Sequence, residues 1–156
     1  MKDTSWKDDV KNQIDKFKPD LLAMSCTEDM WELGVEILKE IKYYKDKFNT
    51  PVICGGVFAT FAPEIVANEE LIDIVCVGEG ENALVDLCKK IENKEDYTNV
   101  TNCWVKKDGF IVKKNSISKP VDINKNPIID VTQFEDNRLY RPMGGTVYRM
   151  LPVETI

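Results

Sequence analysis

Three short segments carry residue types that could contact a ligand, and each follows an apolar run typical of a buried strand. The first is Ser25-Cys26-Thr27, the second is Gly55-Gly56-Val57, and the third is Gly78-Glu79-Gly80. Hydroxyl groups can donate to, or accept from, a ring nitrogen or a phosphate. Glycine lets a flat or bulky group approach the backbone and leaves amides free where a helix starts. The segments predict a ligand site made of Ser25, Thr27, Gly55, Gly56, Val57, Gly78, Glu79 and Gly80.

The carboxylates in and beside the third segment limit the kinds of ligand that the predicted site could bind. Glu79 and Glu81 would repel a run of phosphates, so the three segments favour a neutral or mixed organic ligand over a nucleotide triphosphate. Each segment also has a purely structural interpretation. Ser25 and Thr27 could cap the next helix, and Gly55-Gly56 could form a tight strand-to-helix turn. The third segment could begin a helix with favourable dipole charges. Their co-occurrence on three consecutive strand ends favours a ligand.

The composition excludes several classes of function. The 156 residues contain no histidine, which removes Ser-His-Asp and Cys-His catalysis and histidine-ligated zinc or cobalt. A formal charge of −6 argues against a nucleic-acid partner, which would need clustered Lys and Arg. No apolar run reaches the roughly 18 residues of a membrane span, and no secretory leader is recognisable. The five cysteines lack CxxC spacing, and three of them lie in strand-like runs, so we expect buried, reduced thiols in a cytoplasmic protein.

The elements that must position these segments follow from the apolar periodicity. Short apolar runs predict strands at 20–26, 52–55 and 71–77. Helical spacing predicts helices at 6–17, 30–44, 63–69 and 81–91. Strand alternating with helix indicates βαβ crossovers. The prediction is an α/β fold with three layers around a parallel, flavodoxin- or Rossmann-like sheet.

The pattern changes after Asn93. Segments 101–106 and 110–114 flank Asp108-Gly109 and predict a β-hairpin with a two-residue turn. From Ser116 onward, repeated prolines and little periodicity predict an extended tail or linker. The predicted organisation is a Rossmann-like domain over 1–98, a hairpin extension over 99–115, and a linker over 116–156.

Three longer stretches together resemble a known family. They are Pro19-Asp-Leu-Leu-Ala-Met-Ser-Cys-Thr27, Pro51-Val-Ile-Cys-Gly-Gly56 and Asp73-Ile-Val-Cys-Val-Gly-Glu-Gly-Glu81. In this order they are similar to the cobalamin-binding domain that precedes the catalytic domain of radical S-adenosylmethionine (SAM) enzymes. The segment 140–156 looks like the approach to the barrel of such an enzyme, so the resemblance covers most of the chain. Its motifs are specific for the domain and unspecific for the reaction.

The resemblance implies a cofactor and a role for each part of the site. In such domains the serine and the glycine pair receive the nucleotide tail of cobalamin. Ser25 would then hydrogen-bond the tail, Gly55 and Gly56 would make room for it, and the Gly78–Gly80 loop would flank it. Because the sequence has no histidine, we expect base-off cobalamin without a protein imidazole on cobalt.

The resemblance also implies partners. A [4Fe–4S] cluster and SAM would belong to a missing catalytic domain that follows residue 156, since no CxxxCxxC motif is present. The parent is expected to be a radical SAM enzyme of methyltransferase or oxidoreductase type, and this part of it to have no turnover alone. The expected partners are the corrinoid and that domain, with no nucleic acid and no membrane.

The resemblance implies that this sequence lacks two strands and one helix of the family's fold, and that the strand at 20–26 would lie beside the missing first strand. We therefore expect the sheet to be shortened at its amino-terminal end. We also expect an exposed sheet edge, which is prone to pair with another strand. The strand that covers it could be the chain's own segment 145–153 or a second copy in a homodimer.

Two other functions stay open. One is an interaction module that keeps the Rossmann-like fold and binds no corrinoid. The other is a flavodoxin-like flavin or nucleotide binder. That function would need a phosphate loop rich in Ser, Thr and Gly after the first strand, and none is visible near the amino terminus.

Overall fold

The computed structural model describes residues 6–127, 130–133 and 135–150. The chain divides into two units, Met1–Val121 and Asp122–Ile156. The helices of the first unit are α1 (Trp6–Phe17), α2 (Trp31–Glu40), α3 (Lys42–Phe48), α4 (Gly56–Phe61), α5 (Pro63–Asn68) and α6 (Glu81–Glu92). Its strands are β1 (Leu22–Ser25), β2 (Val52–Gly55), β3 (Ile74–Cys76), β4 (Cys103–Lys107) and β5 (Phe110–Lys114). None of the described helices is long and apolar enough to cross a membrane.

The five strands form one mixed sheet in the order β1-β2-β3-β4-β5. Strands β1, β2 and β3 are parallel, and their register places Ser25 beside Gly55. Strand β4 runs antiparallel to β3, and β5 runs antiparallel to β4. The parallel strands and their helical connections confirm the predicted α/β, flavodoxin- or Rossmann-like fold class.

The sheet has two buried faces, because side chains alternate along each strand. One face packs against α2, α4 and α5, and its strand residues are Leu22, Val52, Cys54 and Val75. The opposite face packs against α6, and its strand residues are Ile53, Ile74, Cys76, Cys103 and Val105. Helices on both faces give the predicted three layers.

The helical segments between β1 and β3 differ from their predicted limits. The single helix expected over 30–44 is a 3-10 turn, Glu28–Met30, followed by α2 and α3. The break lies at Ile41, whose ψ of 9° leaves the α-helical region and whose side chain is buried in the core. Helix α4, directly after β2, was not predicted, because its six residues are too few to show a helical period.

Strands β4 and β5 form the predicted hairpin at Asp108-Gly109. Both turn residues have positive φ, 52° and 81°, as a two-residue turn matched to the strand twist requires. The hairpin also extends the main sheet, since β4 pairs with β3 from Ile74 to Cys76. The domain limits at 98 and 115 stay predictions.

The second unit contains a hairpin that the sequence analysis did not predict. Its strands are β6 (Tyr140–Met143) and β7 (Thr146–Arg149), joined by Gly144-Gly145, both with positive φ. Because β7 pairs with β6, the expectation that segment 145–153 covers the edge of β1 is wrong for residues 146–149. Residues 151–153 lie outside the described residues.

Strand β1 forms an edge of the main sheet, since β2 is its only partner among the described strands. The Leu22 amide donates to the Pro51 carbonyl at 3.0 Å, and the Cys26 amide donates to the Gly55 carbonyl at 3.4 Å. Alternate residues of β1 therefore direct their backbone groups towards β2. Ser25 lies between these bonded positions and is exposed. The expected exposed edge is present.

Asp73 joins several elements at the amino end of the sheet. Its carboxylate accepts hydrogen bonds from Lys45 Nζ of α3 and from the Val52 amide of β2, the latter at 2.8 Å. Its own amide donates to the Val52 carbonyl at 2.9 Å. This network fixes β3 against β2 and thereby sets where their carboxyl ends stand.

Replacing Asp73 by alanine should lower the free energy of unfolding by about 1–3 kcal/mol, because the Val52 amide loses its acceptor and Lys45 loses its partner. The matched control is Asp46→Ala, which removes an exposed ion pair with Lys42. That change should cost at most about 0.5 kcal/mol. Urea titrations followed by circular dichroism measure both values, and equal losses would contradict the role given to Asp73.

Candidate functional site

A groove of about 780 Å³ lies at the carboxyl ends of β1, β2 and β3. Its floor is the sheet face that packs against α6. Ile53 and Cys76 are buried there, whereas Ala23 and Ser25 on β1 stay exposed. Strand β1 contributes no buried side chain to the cluster under α6. The groove is therefore the uncovered part of that face, at the edge where open parallel sheets bind ligands.

Ser25 is the last residue of β1, and its side chain lines the groove. No hydrogen bond from another described residue engages its hydroxyl. The Ser25 Oγ atom lies 2.6 Å from the point that a Cβ on Gly56 would occupy. The hydroxyl thus stands directly beside the glycine turn and can donate to, or accept from, a bound molecule.

The Gly55-Gly56 pair connects β2 to α4, and the two glycines differ in what a side chain would contact at their positions. Gly56 has a φ of +88°, and a Cβ there would also lie 3.1 Å from the backbone nitrogen and oxygen of Cys26. Only glycine therefore allows this close crossing of the turn and the end of β1. Gly55 has extended backbone, and a Cβ there would meet only the Cβ of Cys76, at 3.5 Å. Gly56 is needed by the fold, whereas Gly55 leaves open space.

Thr60 of α4 joins the two glycine segments. Its hydroxyl donates to the Gly56 carbonyl at 2.9 Å and accepts from the Gly78 amide at 3.0 Å. Gly78 has a φ of +87°, so this loop also depends on a glycine conformation. A single side chain therefore holds the two loops that border the groove at a fixed separation.

Asn102 holds the Gly78–Gly80 loop from the other side. Its Nδ2 donates to the Glu79 carbonyl at 2.7 Å, and its Oδ1 accepts from the Ser118 amide at 2.6 Å. The Glu79 carboxylate in turn accepts from the Val121 amide. Asn102 is almost fully buried, so these bonds are shielded from water. The loop is thereby linked to the segment that follows β5.

The walls of the groove are largely apolar. Among the described residues, the lining has two carboxylates, Glu79 and Glu81, and no Lys or Arg. Because the Glu79 carboxylate bonds the Val121 amide, part of this charge is already engaged. The exposed apolar side chains of the walls are Val57, Phe61, Leu84 and Val85. Such a lining suits a flat organic ring better than a polyphosphate.

The structure brings seven of the eight predicted site residues together. Those that line the groove are Ser25, Gly55, Gly56, Val57, Gly78, Glu79 and Gly80. Thr27 is not among the lining residues. It lies beyond β1, and its hydroxyl donates to the Asp29 carboxylate without capping the following 3-10 turn. The capping role expected for Thr27 is therefore wrong.

Sequence reasoning missed several lining residues. Thr60 lacks a motif of its own, because its bond with the Gly78 amide reaches a segment that only the folded chain brings near. Phe61, Leu84 and Val85 are large apolar residues of the kind that usually packs in a core. Their helical spacing gives no sign of which side of the helix faces a groove. Among the described residues, no group of three Cys, Asp or Glu side chains is placed to hold a metal ion.

An α/β sheet with a groove over its parallel strand ends has the architecture of flavodoxin-like domains, which bind ligands at that edge. The sequence profile described as the B12 binding domain matches residues 2–88, which is more than half of the 156-residue chain. The chain therefore belongs to the B12 binding domain family, and the resemblance drawn from its three stretches is confirmed. A search of curated proteins found no match.

Two solved proteins have a similar fold. One is TsrM, a radical SAM methyltransferase from Kitasatospora setae, with cobalamin and a [4Fe-4S] cluster bound. The TM-score is 0.64 at 19% identity, over 95% of this chain and 29% of that chain. The other is OxsB, a cobalamin-dependent SAM radical enzyme with aqua-cobalamin bound. The TM-score is 0.63 at 24% identity, over 79% of this chain and 17% of that chain. This chain thus spans less than a third of either protein.

Replacing Thr60 by valine should destabilise the groove. The isosteric change leaves the Gly78 amide without its acceptor, so the free energy of unfolding should fall by about 1–3 kcal/mol. Hydrogen exchange at the Gly78 amide should become faster. Thr60→Ser keeps the hydroxyl and is the matched control, with slow exchange at Gly78. Unchanged stability and unchanged exchange in the valine variant would show that the hydroxyl does not hold the loops together.

Proposed function

We propose that this chain holds a corrinoid, with the nucleotide tail of cobalamin in the groove, beside the catalytic domain of a radical SAM enzyme. One observation carries the proposal. At two adjacent strand ends, Ser25 offers an unengaged hydroxyl and Gly55 leaves the floor of the groove open. Membership of the B12 binding domain family supports a corrinoid as the ligand.

The groove fits a nucleotide tail in size and lining. Its volume of about 780 Å³ lies within the range of small-molecule sites, about 300–1,000 Å³. Alanine would fit at Gly55, where a Cβ would lie 3.5 Å from the Cys76 Cβ, whereas a longer side chain would take up space in the groove. Apolar walls can pack against the faces of an aromatic base, and hydroxyl and backbone groups can bond its polar edges.

Each part of the site then has a role. The Ser25 hydroxyl hydrogen-bonds the tail, and Gly55 gives it room. Val57 packs beside the tail, and the Gly78–Gly80 loop, with Glu79, flanks it. Thr60 keeps that loop at the correct distance from the turn at Gly56. Residues 1–156 contain no histidine, so we propose base-off binding in which this chain places no imidazole on cobalt.

The catalytic partners belong to another part of the parent chain. TsrM and OxsB carry a comparable unit within much longer chains, of which this chain covers 29% and 17%. A [4Fe–4S] cluster is bound in TsrM, and SAM is bound in OxsB. We infer that a radical SAM domain of the same parent holds both. Cobalamin, when bound, supplies methyl transfer or radical chemistry, and the residues of this chain bind and orient it.

Two further proposals concern the oligomeric state of the protein and its cellular compartment. The exposed edge of β1 supports a homodimer, in which two copies pair their first strands and satisfy the backbone groups around Ser25. Four buried free cysteines support a reducing compartment such as the cytoplasm.

The alternative is an interaction module that binds no corrinoid. Exposed apolar side chains beside the groove favour it, because such patches often mark protein-binding surfaces. The clearest of them are Val57, Phe61 and Val85, which are 61%, 83% and 53% exposed. Corrinoid uptake decides between the two functions.

The proposal is tested by mixing the purified chain with excess hydroxocobalamin, removing free corrinoid, and recording the retained visible absorbance. We expect stoichiometric retention by the unaltered chain. Gly55→Ala adds a methyl group at ordinary contact distance and should still fold and retain corrinoid. Gly55→Leu fills the floor and should reduce retention at least tenfold, with its thermal unfolding midpoint close to that of the alanine variant.

Retention by Gly55→Leu equal to that of the unaltered chain would refute the assigned site. No retention by both the unaltered chain and the full-length parent would refute corrinoid binding and leave the interaction module. Ser25→Ala provides a second variant that leaves the backbone unchanged, and it should weaken retention by roughly the tenfold that one hydrogen bond supplies.

A further inference from the structure

The floor of the groove contains a thiol that the proposed function does not use. Cys76 ends β3, lines the groove and is 4% exposed. Its direct partner on the antiparallel strand β4 is Cys103, which is fully buried. Both thiols are free. Side chains of directly opposed residues project to the same face, so both thiols lie under α6 in one cluster.

The hydrogen-bond pattern around this pair brings the two residues close together. The Val77 amide donates to the Asn102 carbonyl at 2.8 Å, and the Lys106 amide donates to the Asp73 carbonyl at 2.8 Å. Bonded and non-bonded pairs alternate along an antiparallel ladder, so Cys76 and Cys103 occupy a non-bonded pair. The Cα atoms of such pairs stand about 4.5 Å apart. That spacing lies within the range of about 4.4–6.8 Å that disulfides span.

The two thiols differ in acidity. A hydrogen bond from Cys103 lowers the pKa of Cys76 more than burial raises it. Donation of that hydrogen bond, together with burial, raises the pKa of Cys103. Cys76 is therefore the thiol of this pair that loses its proton more readily. A nucleophilic thiolate beside a second thiol is the arrangement of peroxide-reactive cysteine pairs.

A second pair of cysteines provides an internal comparison. Cys26 Sγ and Cys54 Sγ are 4.0 Å apart on the opposite face of the sheet. Burial raises the pKa of Cys26, and it raises the pKa of Cys54 to about 12. Both are thus protonated at neutral pH. Each pair brings two thiols together, but only the Cys76–Cys103 pair contains a thiol with a lowered pKa, and only that pair borders the groove.

We propose that Cys76 and Cys103 form a peroxide-reactive dithiol that closes to an intramolecular disulfide at the floor of the groove. The Cys76 thiolate attacks one oxygen of a hydroperoxide, the O–O bond breaks, and Cys76 becomes a sulfenic acid as water or an alcohol leaves. Cys103 then attacks the sulfenic sulfur. The S–S bond forms, the S–O bond breaks, and water leaves with the Cys103 proton. Two thiols are oxidised by two electrons, and one hydroperoxide is reduced.

The disulfide changes the floor between the two glycine segments. The Cys76 Sγ atom now lies 3.9 Å from the point that a Cβ on Gly80 would occupy. Bond formation draws this sulfur towards Cys103 and shifts the surface below Gly55. The effect of the disulfide on corrinoid affinity rests on the proposed function, whereas its formation does not.

The experiment maps disulfides in the full chain. The reduced chain is treated with one equivalent of hydrogen peroxide, the remaining thiols are alkylated in urea, and the peptides are identified by mass spectrometry. No Lys or Arg lies between Phe48 and Lys89, so trypsin would leave Cys54, Cys76 and Cys88 in one peptide. A protease that cleaves after Glu separates them.

We expect a Cys76–Cys103 cross-link as the main product, with Cys26 and Cys54 alkylated. In Cys103→Ser, Cys76 should remain a sulfenic acid that dimedone traps. Cys88→Ser removes the exposed, isolated cysteine and should leave the cross-link unchanged. A main Cys26–Cys54 cross-link would overturn the proposal. The proposal would also be overturned if Cys76 and Cys103 were both found alkylated after peroxide had oxidised Cys88. The unaltered chain alone is enough to decide between these outcomes.

A second measurement compares hydroxocobalamin retention by the reduced and the cross-linked chain. We expect the cross-link to lower retention at least threefold and a thiol reductant to restore it. Equal retention by both forms would overturn the proposed effect of the disulfide on corrinoid binding in the groove. Absent retention by both forms would count against the proposed function, and the cross-link map would still decide on the dithiol.

Discussion

The close crossing of Gly56 over the end of β1 is the constraint from which the rest of the site follows. A Cβ at this position would stand 2.6 Å from Ser25 Oγ and 3.1 Å from the Cys26 backbone, so the crossing requires glycine. The crossing places the end of β2 beside the end of β1, with Ser25 in register with Gly55. It also starts α4, whose Thr60 reaches across to the third loop. The absence of a side chain at Gly56 thus permits the alignment of all three segments that border the groove.

The sequence predicted the parallel strands and the meeting of their ends, because buried strands and glycine pairs leave strong local patterns. Strand β2 and helix α1 have the predicted limits. The bonds that fix the loops could not be predicted in this way. Thr60 and Asn102 bond backbone groups 18 and 23 residues away, and such bonds leave no periodic signal. Thr27 resembled Ser25 in type but lies past the end of the strand, where its hydroxyl turns to Asp29.

The groove combines two kinds of chemistry within a few ångströms. Its upper walls offer a hydroxyl, apolar side chains and open space at Gly55, which suit the tail of a bulky organic cofactor. Its floor ends in Cys76, whose partner Cys103 lies directly across the β3–β4 ladder. That ladder exists because the hairpin after residue 99 continues the parallel sheet. The strand that completes the sheet therefore also brings the second thiol to the site.

The central claim is that the groove receives the nucleotide tail of cobalamin, and amide chemical shifts test it most directly. A ¹⁵N-labelled chain is titrated with hydroxocobalamin and, separately, with cobinamide, which has the corrin ring and no nucleotide. We expect hydroxocobalamin to shift the amide signals of Ser25, Gly55, Gly56 and Gly78, and cobinamide to leave them unchanged. Equal shifts with both compounds, or shifts confined to residues outside the groove, would contradict this claim.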